Sequence, residues 1–265
     1  MAVIVTGATM TRMADGEAAT SNDKIAVRLD RVSKSFGKHK VLDDVSFRIA
    51  AGQAFCILGK SGVGKSVTLK IMIGLIQPDA GKVFIRGAEI LSLDPQNLSR
   101  SRKEMGFLFQ NGALFDSISV AENVAFPLRR HTKKSDEEIR SIVRQKLKEV
   151  ELENEGEKMP AQLSGGMSKR AARALALDPS ILLVDEPNSG LDAITASEIN
   201  DLLLRLKNTR KVTLVVVTHD IAGARKFSDR FAVLDCGKIA GCGPIDQLAR
   251  SENPLVRDLA AGALT

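Results

Sequence analysis

Gly59-Lys60-Ser61-Gly62-Val63-Gly64-Lys65-Ser66 fits the phosphate-loop pattern G-x-x-x-x-G-K-[ST], and its surroundings decide the fold. Ala54-Phe55-Cys56-Ile57-Leu58 before it is an apolar run of strand length. Val67-Thr68-Leu69-Lys70-Ile71-Met72 after it reads as a helix. Strand, glycine-rich turn and helix are the context that such a loop requires. Gly59, Gly62 and Gly64 let the backbone curl so that peptide N–H groups face an anion. The helix N-terminus adds the positive end of its dipole. Lys60, Ser61 and Val63 complete the loop, Lys65 neutralises β/γ-phosphates, and Ser66 offers Mg2+ a hydroxyl.

Two runs downstream, Ile181 to Val184 and Val212 to Val217, are also apolar on both faces. Such strands belong to a parallel sheet covered by helices on both sides. Ligands gather at the carboxyl ends of these strands. The first run ends in Asp185-Glu186. Adjacent carboxylates there cost desolvation unless they serve a cation or a proton. Neighbouring strand residues point oppositely, so the two divide the work. Asp185 orients the Mg2+ shell and Glu186 acts as general base on the attacking water. His219 ends the strand Val212 to Thr218 and comes beside the other strand ends, near the γ-phosphate. Gln110 follows the short strand Met105 to Phe109. Its amide reads equally as a group reaching Mg2+ or the water and as a satisfied surface amide.

Nearer the start, Ile25-Ala26-Val27-Arg28-Leu29 and Val45-Ser46-Phe47-Arg48-Ile49 alternate like half-buried strands, and Val83-Phe84-Ile85 makes a third. They predict an antiparallel β layer. Residues 1 to about 22 are rich in Ala, Thr, Gly and Ser without periodicity and read as a flexible extension, with Met13 as an alternative start. Ala2-Val3-Ile4-Val5 lacks the basic flank of a signal peptide. No apolar run approaches the roughly 20 residues of a membrane span. Ser135-Asp136-Glu137-Glu138 is a capping box. Ile139, Ile142, Val143, Leu147 and Val150 form one apolar stripe of a helix after it, which reads as core.

The net charge is +6, but the basic residues are scattered, with small knots at Arg129-Arg130 and Lys133-Lys134. Tyr and Trp are absent, so stacking platforms for single strands would rest on ten Phe, most of them in apolar runs. No nucleic-acid partner is expected. Cys56, Cys236 and Cys242 lack the clustered partners of a metal site and fit a reducing compartment.

Gly59 to Ser66, then Leu163-Ser164-Gly165-Gly166, then Ile181 to Glu186, in this order, resemble the ATP-binding cassette (ABC) family from about Ile25 onward. The three look like its Walker A loop, signature motif and Walker B strand. Gln110 matches its Q-loop, His219 its switch histidine and Ser189-Gly190-Leu191-Asp192 its D-loop. Phe36 stands where the family places an adenine-stacking aromatic, and reads equally as a core Phe.

The resemblance implies an α/β fold of the P-loop NTPase class over residues 25–265. That fold has a mixed sheet core, an antiparallel β subdomain and a helical subdomain around residues 98–178. It also implies ATP and Mg2+ as ligands and a second copy as partner. Ser164, Gly165, Gly166 and Asp192 then complete an ATP site whose Lys65 belongs to the other copy.

Leu108-Phe109-Gln110-Asn111-Gly112-Ala113-Leu114-Phe115, Asn123 to Arg129, Lys158-Met159-Pro160 and Met167 after the signature are similar to ATPases of Mla/MCE-type lipid transporters. That narrower resemblance implies an integral membrane permease as partner and an MCE-type lipid-binding subunit. It implies a peripheral place on the cytoplasmic face of the bacterial inner membrane, with phospholipids or related lipids as cargo. The alternatives are the ATPase of another importer or exporter and a regulatory ABC protein that scarcely hydrolyses ATP.

Two departures from the family pattern stand out. Asn188 replaces a common Thr, a change expected to matter little. In Lys169-Arg170-Ala171-Ala172-Arg173-Ala174-Leu175-Ala176 about two residues are missing between the basic pair and the next Arg. Removing two residues from a helix rotates the part beyond them by roughly 200° and shortens the helix by about 3 Å. The slip is expected to be absorbed near Asp178-Pro179, because the residue before proline disfavours helix. Inserting Leu-Ala between Ala172 and Arg173 is therefore expected to raise the melting temperature and to preserve or improve ATPase activity. A lower melting temperature would show that the short helix is a settled feature of this fold.

Overall fold

The computed structural model describes residues 25–109, 114–174 and 179–262. The strands in chain order are β1 (Ile25–Phe36), β2 (His39–Ala50), β3 (Ala54–Leu58), β4 (Ala80–Ile85) and β5 (Ala88–Glu89), followed by β6 (Met105–Leu108), β7 (Ile181–Asp185), β8 (Thr213–Thr218), β9 (Arg230–Asp235) and β10 (Lys238–Gly243). The helices are α1 (Lys65–Met72), α2 (Pro95–Lys103), α3 (Val120–His131), α4 (Asp136–Glu149), α5 (Gly165–Ala174), α6 (Ala193–Arg210), α7 (Ile221–Phe227), α8 (Ile245–Leu248) and α9 (Pro254–Ala261).

The expected antiparallel layer is a four-stranded sheet in the order β2-β1-β4-β5. The expected parallel sheet has six strands in the order β10-β9-β3-β8-β7-β6, with β10 antiparallel at one edge. Side chains of β3, β7 and β8 alternate between two apolar layers. Ala54, Cys56, Leu58, Leu182, Val184, Leu214 and Val216 pack toward the helices. Phe55, Ile57, Leu183, Val215 and Val217 pack against the antiparallel sheet and α1. Phe47 of β2 stacks on Phe55 of β3 across that second layer, with ring centroids 5.0 Å apart. Each fully buried Val, Leu or Ile here contributes about 1.5–3 kcal/mol. Strands buried on both faces are thereby pinned, and the loops at their carboxyl ends are fixed against them.

The stretch 98–178 is not wholly helical. β6 lies inside it and pairs with β7 in the central sheet, Met105 opposite Ile181. Helices α3, α4 and α5 form the helical layer after it. Capping boxes start two of them, Ser119 with Glu122 and Ser135 with Glu138. Ile139, Val143 and Leu147 form the buried stripe of α4. Helix α5 starts regularly, with the Ser164 hydroxyl accepting from the Met167 N–H at 3.2 Å, and runs to Ala174. Residues 175–178, where the sequence places the absorption of the missing pair, lie outside the described residues, as do residues 1–24.

Ahead of α3, the loop from Phe115 to Ser119 is held by one side chain. Asn123 is fully buried. Its Oδ1 accepts from the Phe115 N–H at 2.7 Å. Its Nδ2 donates to the carbonyls of Phe115, Ile118 and Ser119 at 3.1, 3.1 and 3.0 Å. Truncation leaves these backbone groups without partners, at about 1–3 kcal/mol for a buried orphan. Asn123→Ala is therefore expected to lower the melting temperature by several degrees in thermal unfolding; an unchanged value would mean that water replaces the amide at no cost.

Candidate active site

Three strand ends, of β3, β7 and β8, and the phosphate loop build the site. The phosphate loop leaves β3 and enters α1 through Gly64, whose φ is 112°. A Cβ there would come within 2.9–3.0 Å of the side chains of Leu42 and Val41 on β2, so the loop seats against the antiparallel sheet only with glycine. The loop lines a cleft of about 780 Å³ together with Glu186, Ser189, Thr218, His219, Ile221 and Leu259. Lys65, Ser66, Glu186 and His219 thus meet in one place, as the sequence predicted.

Lys65 is only 6% exposed. Its ammonium donates to the carbonyls of Gly59 and Lys60 at 2.8 and 3.2 Å and pairs with Glu186 Oε1 at 3.2 Å. The other carboxylate oxygen of Glu186 lies 2.8 Å from His219 Nδ1 and accepts from the His219 peptide N–H at 3.3 Å. Glu186 itself takes a left-handed backbone, φ 47°, which turns the chain out of the sheet. A non-glycine residue in that region is strained, and strain of this kind collects at functional sites. The Glu186 N–H still bonds the Val217 carbonyl at 2.9 Å, so the last rung of the β7–β8 ladder holds the strained residue.

Beside it, the Ser66 hydroxyl donates to Asp185 Oδ1 at 2.7 Å. Burial raises the Asp185 carboxyl above the usual carboxylate range, the Ser66 hydrogen bond opposes the rise, and the charge of Glu186 adds to it. A hydroxyl and a carboxylate oxygen side by side form a hard-oxygen donor pair of the kind that Mg2+ takes. Ser66 and Asp185 therefore fit the ion.

Other expected residues lie elsewhere. Ser164 and Gly165 are exposed at the N-terminus of α5, Gly166 is buried there, and none lines the cleft of its own chain. Asp192 caps α6, accepting from the N–H groups of Ile194 and Thr195 at 3.0 Å and from the Thr195 hydroxyl at 2.7 Å. Phe36 is half-exposed at the end of β1, under the Lys34 ammonium and outside the cleft lining. It is therefore not the core Phe of the second reading. Gln110 lies outside the described residues. Cys56 is a buried thiol whose pKa burial pushes up, as an inert core cysteine requires.

Sequence reasoning passed over three residues around the turn after β7. The Lys169 ammonium on α5 donates to the carbonyls of Pro187 and Ser189. Asn188, the replacement expected to matter little, makes two side-chain hydrogen bonds. Its Nδ2 donates to Asp220 Oδ2 at 2.6 Å and to Asn200 Oδ1 at 3.0 Å, joining the turn to the residue after His219. Asn200 is, in the sequence, one polar residue in a helix, and only its burial gives it weight.

Known proteins resemble this chain in sequence and in fold. The ABC transporter family matches residues 42–189. A probable ribonucleotide transport ATP-binding protein of Mycobacterium leprae is 42% identical over 240 residues, 90% of this chain and 69% of that protein. The intermembrane phospholipid transport system ATP-binding protein MlaF of Escherichia coli K12 is 37% identical over 233 residues, 87% of each chain. Among solved structures, a dimeric ATP-binding cassette in a post-hydrolysis state, bound to ADP and Pi, superimposes with a TM-score of 0.75 at 36% identity, over 82% of this chain and 98% of the other.

Asp185 carries a stability cost that can be measured. A carboxyl whose pKa is raised by folding stabilises the fold when protonated, and that contribution is lost as pH rises through the raised value. Near neutral pH the ionised Asp185 therefore burdens the nucleotide-free fold. Asp185→Asn is expected to raise the melting temperature near neutrality, by a margin that shrinks as the pH is lowered, while weakening Mg2+-dependent ATP binding. Equal melting temperatures at neutral and acidic pH would remove the desolvation argument.

Proposed function

The chain belongs to the ABC transporter family and is an ATPase; we propose that it drives transport of phospholipids or related lipids across the bacterial cell envelope. The observation that carries ATP hydrolysis is the carboxylate of Glu186, held between the Lys65 ammonium and His219 at the mouth of the phosphate loop. Lys65 faces two claims, the phosphate chain of ATP and Glu186. When it turns to the phosphates, Glu186 is released to accept a proton from the attacking water, and His219 steadies its other oxygen. Ser66 and Asp185 would hold Mg2+, which would supply positive charge against the phosphates. The family resemblance assigns Gln110 to that ion or to the water and Phe36 to adenine.

Ser164, Gly165 and Gly166 have no part in their own cleft and offer a helix N-terminus to the ATP of a partner subunit. Two copies then enclose two ATP molecules, with Asp192 shaping the loop between them. The dimeric state of the superimposed cassette supports this arrangement.

The lipid cargo rests on the segments 108–115 and 123–129, which resemble Mla/MCE-type ATPases, and on the likeness to the E. coli phospholipid transport protein. Phe115 and Phe126, one in each of these segments, are half-exposed with ring centroids 5.1 Å apart and offer a permease an apolar contact. Among the described residues no helix is long and apolar enough to cross a membrane, so the permease and an MCE-type subunit supply the membrane path. The ribonucleotide named for the mycobacterial relative is the competing cargo.

Glu186→Gln is expected to keep ATP binding, slow hydrolysis by at least roughly 10²-fold and trap an ATP-bound dimer in size-exclusion chromatography. Turnover at the wild-type rate would remove Glu186 from the base role. The cargo is tested by reconstituting the chain with its permease in liposomes. ATP-dependent transfer of labelled phospholipid, without movement of labelled ribonucleotide, is the expected result, and the reverse overturns the lipid reading.

A further inference from the structure

The turn after Glu186 has its carbonyls divided between two kinds of donor. The Ser189 N–H bonds the Glu186 carbonyl and the Leu191 N–H bonds the Asn188 carbonyl, each at 3.2 Å. The carbonyls that alternate with these, of Pro187 and Ser189, take the ammonium of Lys169 on α5 at 2.8 and 2.6 Å. Lys169 is partly buried, and burial pushes its ammonium below the ordinary lysine range. Among the described residues it forms no ion pair within 4.0 Å. A desolvated cation directed at two carbonyls is a costly way to fill a turn unless the link itself matters.

The link has two defined ends. One is the N-terminus of α5, where Gly166 packs so closely on Thr195 that a Cβ would clash. The other is Glu186, at the head of the turn, in its strained backbone. From the far side the same turn is gripped by Asn188, whose amide bonds Asp220 next to His219. Asp220 in turn accepts from the Gly223 N–H at 2.8 Å, fixing the start of α7. The segment Pro187–Ser189 is therefore tied to α5 on one side and to the His219 loop on the other.

We propose that Lys169 is a positioning residue that couples the two ATP sites: it passes the placement of α5, whose N-terminus meets the partner subunit's nucleotide, to Glu186 in its own site. This rests on the two-copy arrangement above. A shift of about 1 Å in a catalytic group costs on the order of 10²-fold in rate, so a rigid two-bond link is enough to gate hydrolysis. ATP at one site then sets the geometry at the other, and hydrolysis depends sigmoidally on ATP, with a Hill coefficient of at most about 2 for two sites.

The test compares full-length wild type, Lys169→Met, Lys169→Arg and Lys169→Gln in steady-state ATPase assays over a range of ATP, with binding of a fluorescent ATP analogue read in parallel. Lys169→Met keeps the stem and removes the donors. It is expected to lower kcat at least roughly 10-fold, to leave nucleotide affinity within about twofold, and to bring the Hill coefficient from near 2 to near 1. Lys169→Arg, with donors and charge, is expected to restore both. Lys169→Gln, with two N–H donors on one uncharged nitrogen and a shorter stem, reads the same quantities should the Met variant unfold. A fall in kcat with an unchanged Hill coefficient would mean a merely structural lysine and overturns the proposal. So does a cooperative, dimeric wild type whose Lys169→Met variant is equally cooperative. A wild type that hydrolyses hyperbolically, and whose Glu186→Gln form stays monomeric with ATP, overturns the two-copy reading itself and this coupling with it.

Discussion

Two carboxylates in succession, Asp185 and Glu186, end a strand whose every residue is buried. The rest of the site answers that constraint. Taking ions out of water costs several kcal/mol each unless opposite charges and hydrogen bonds replace the solvent. Lys65 provides the charge, Ser66 a hydroxyl and His219 a ring nitrogen and a peptide N–H. None of these comes from β7. They arrive from the loop after β3, from the start of α1 and from the end of β8, which the parallel sheet brings side by side. A sheet held by burial on both faces is therefore a requirement of the chemistry, since a loose strand would separate the carboxylates from their compensating partners.

The topology also explains why the N-terminus of α5 takes no part in the cleft of its own chain. The cleft gathers residues from the carboxyl ends of β3, β7 and β8. Helix α5, which begins with the exposed Ser164 and Gly165, packs its body on the helical face, with Ala171 fully buried. Its N-terminus points to a position outside its own cleft. A helix N-terminus with unsatisfied N–H groups gains by meeting an anion. The same element serves the local chain through Lys169 and, in the two-copy arrangement, the partner's nucleotide through its first turn.

Much of this was readable in the sequence, and the exceptions have physical causes. Runs apolar on both faces identified β3, β7 and β8 because no other environment tolerates them. The alternating strands were found but cut short. β1 continues from Leu29 to Phe36 and β2 begins at His39, yet register shifts at Leu29/Val32 and Val32/Lys34, with left-handed backbones at Arg31 and Asp44, break the period of two. A bulge moves the buried residues to the other phase, so the pattern vanishes although the strand persists. Lys65, Ser66, Asp185, Glu186 and His219 were legible because spacing and residue type coincide with a phosphate site. Asn123 and Lys169 were not. Their roles are hydrogen bonds to backbone carbonyls, which leave no requirement on the residue type at the other end. Asp192 was assigned by motif, whereas the cap that it provides is a local property any N-cap Asp can have.

The missing pair of residues after Arg170 can be bounded by the same contacts. Gly166 is packed on Thr195, Lys169 is bonded to Pro187 and Ser189, and Ala171 is fully buried, so the first turns of α5 are fixed against the turn after β7. On the other side, the Ser180 N–H bonds the Glu104 carbonyl at 3.0 Å, the Thr213 N–H bonds the Ser180 carbonyl at 3.0 Å, and Ile181 is in register with Met105 and Thr213. The two anchors sit on opposite flanks of the deficit and neither depends on the residues between them. Ser164 is tied to Asp185 through α5, Lys169 and the turn at Pro187–Ser189, a route through space that bypasses the chain from 172 to 178 altogether. The contacts that join α5 to the turn after Glu186 are therefore independent of that connection.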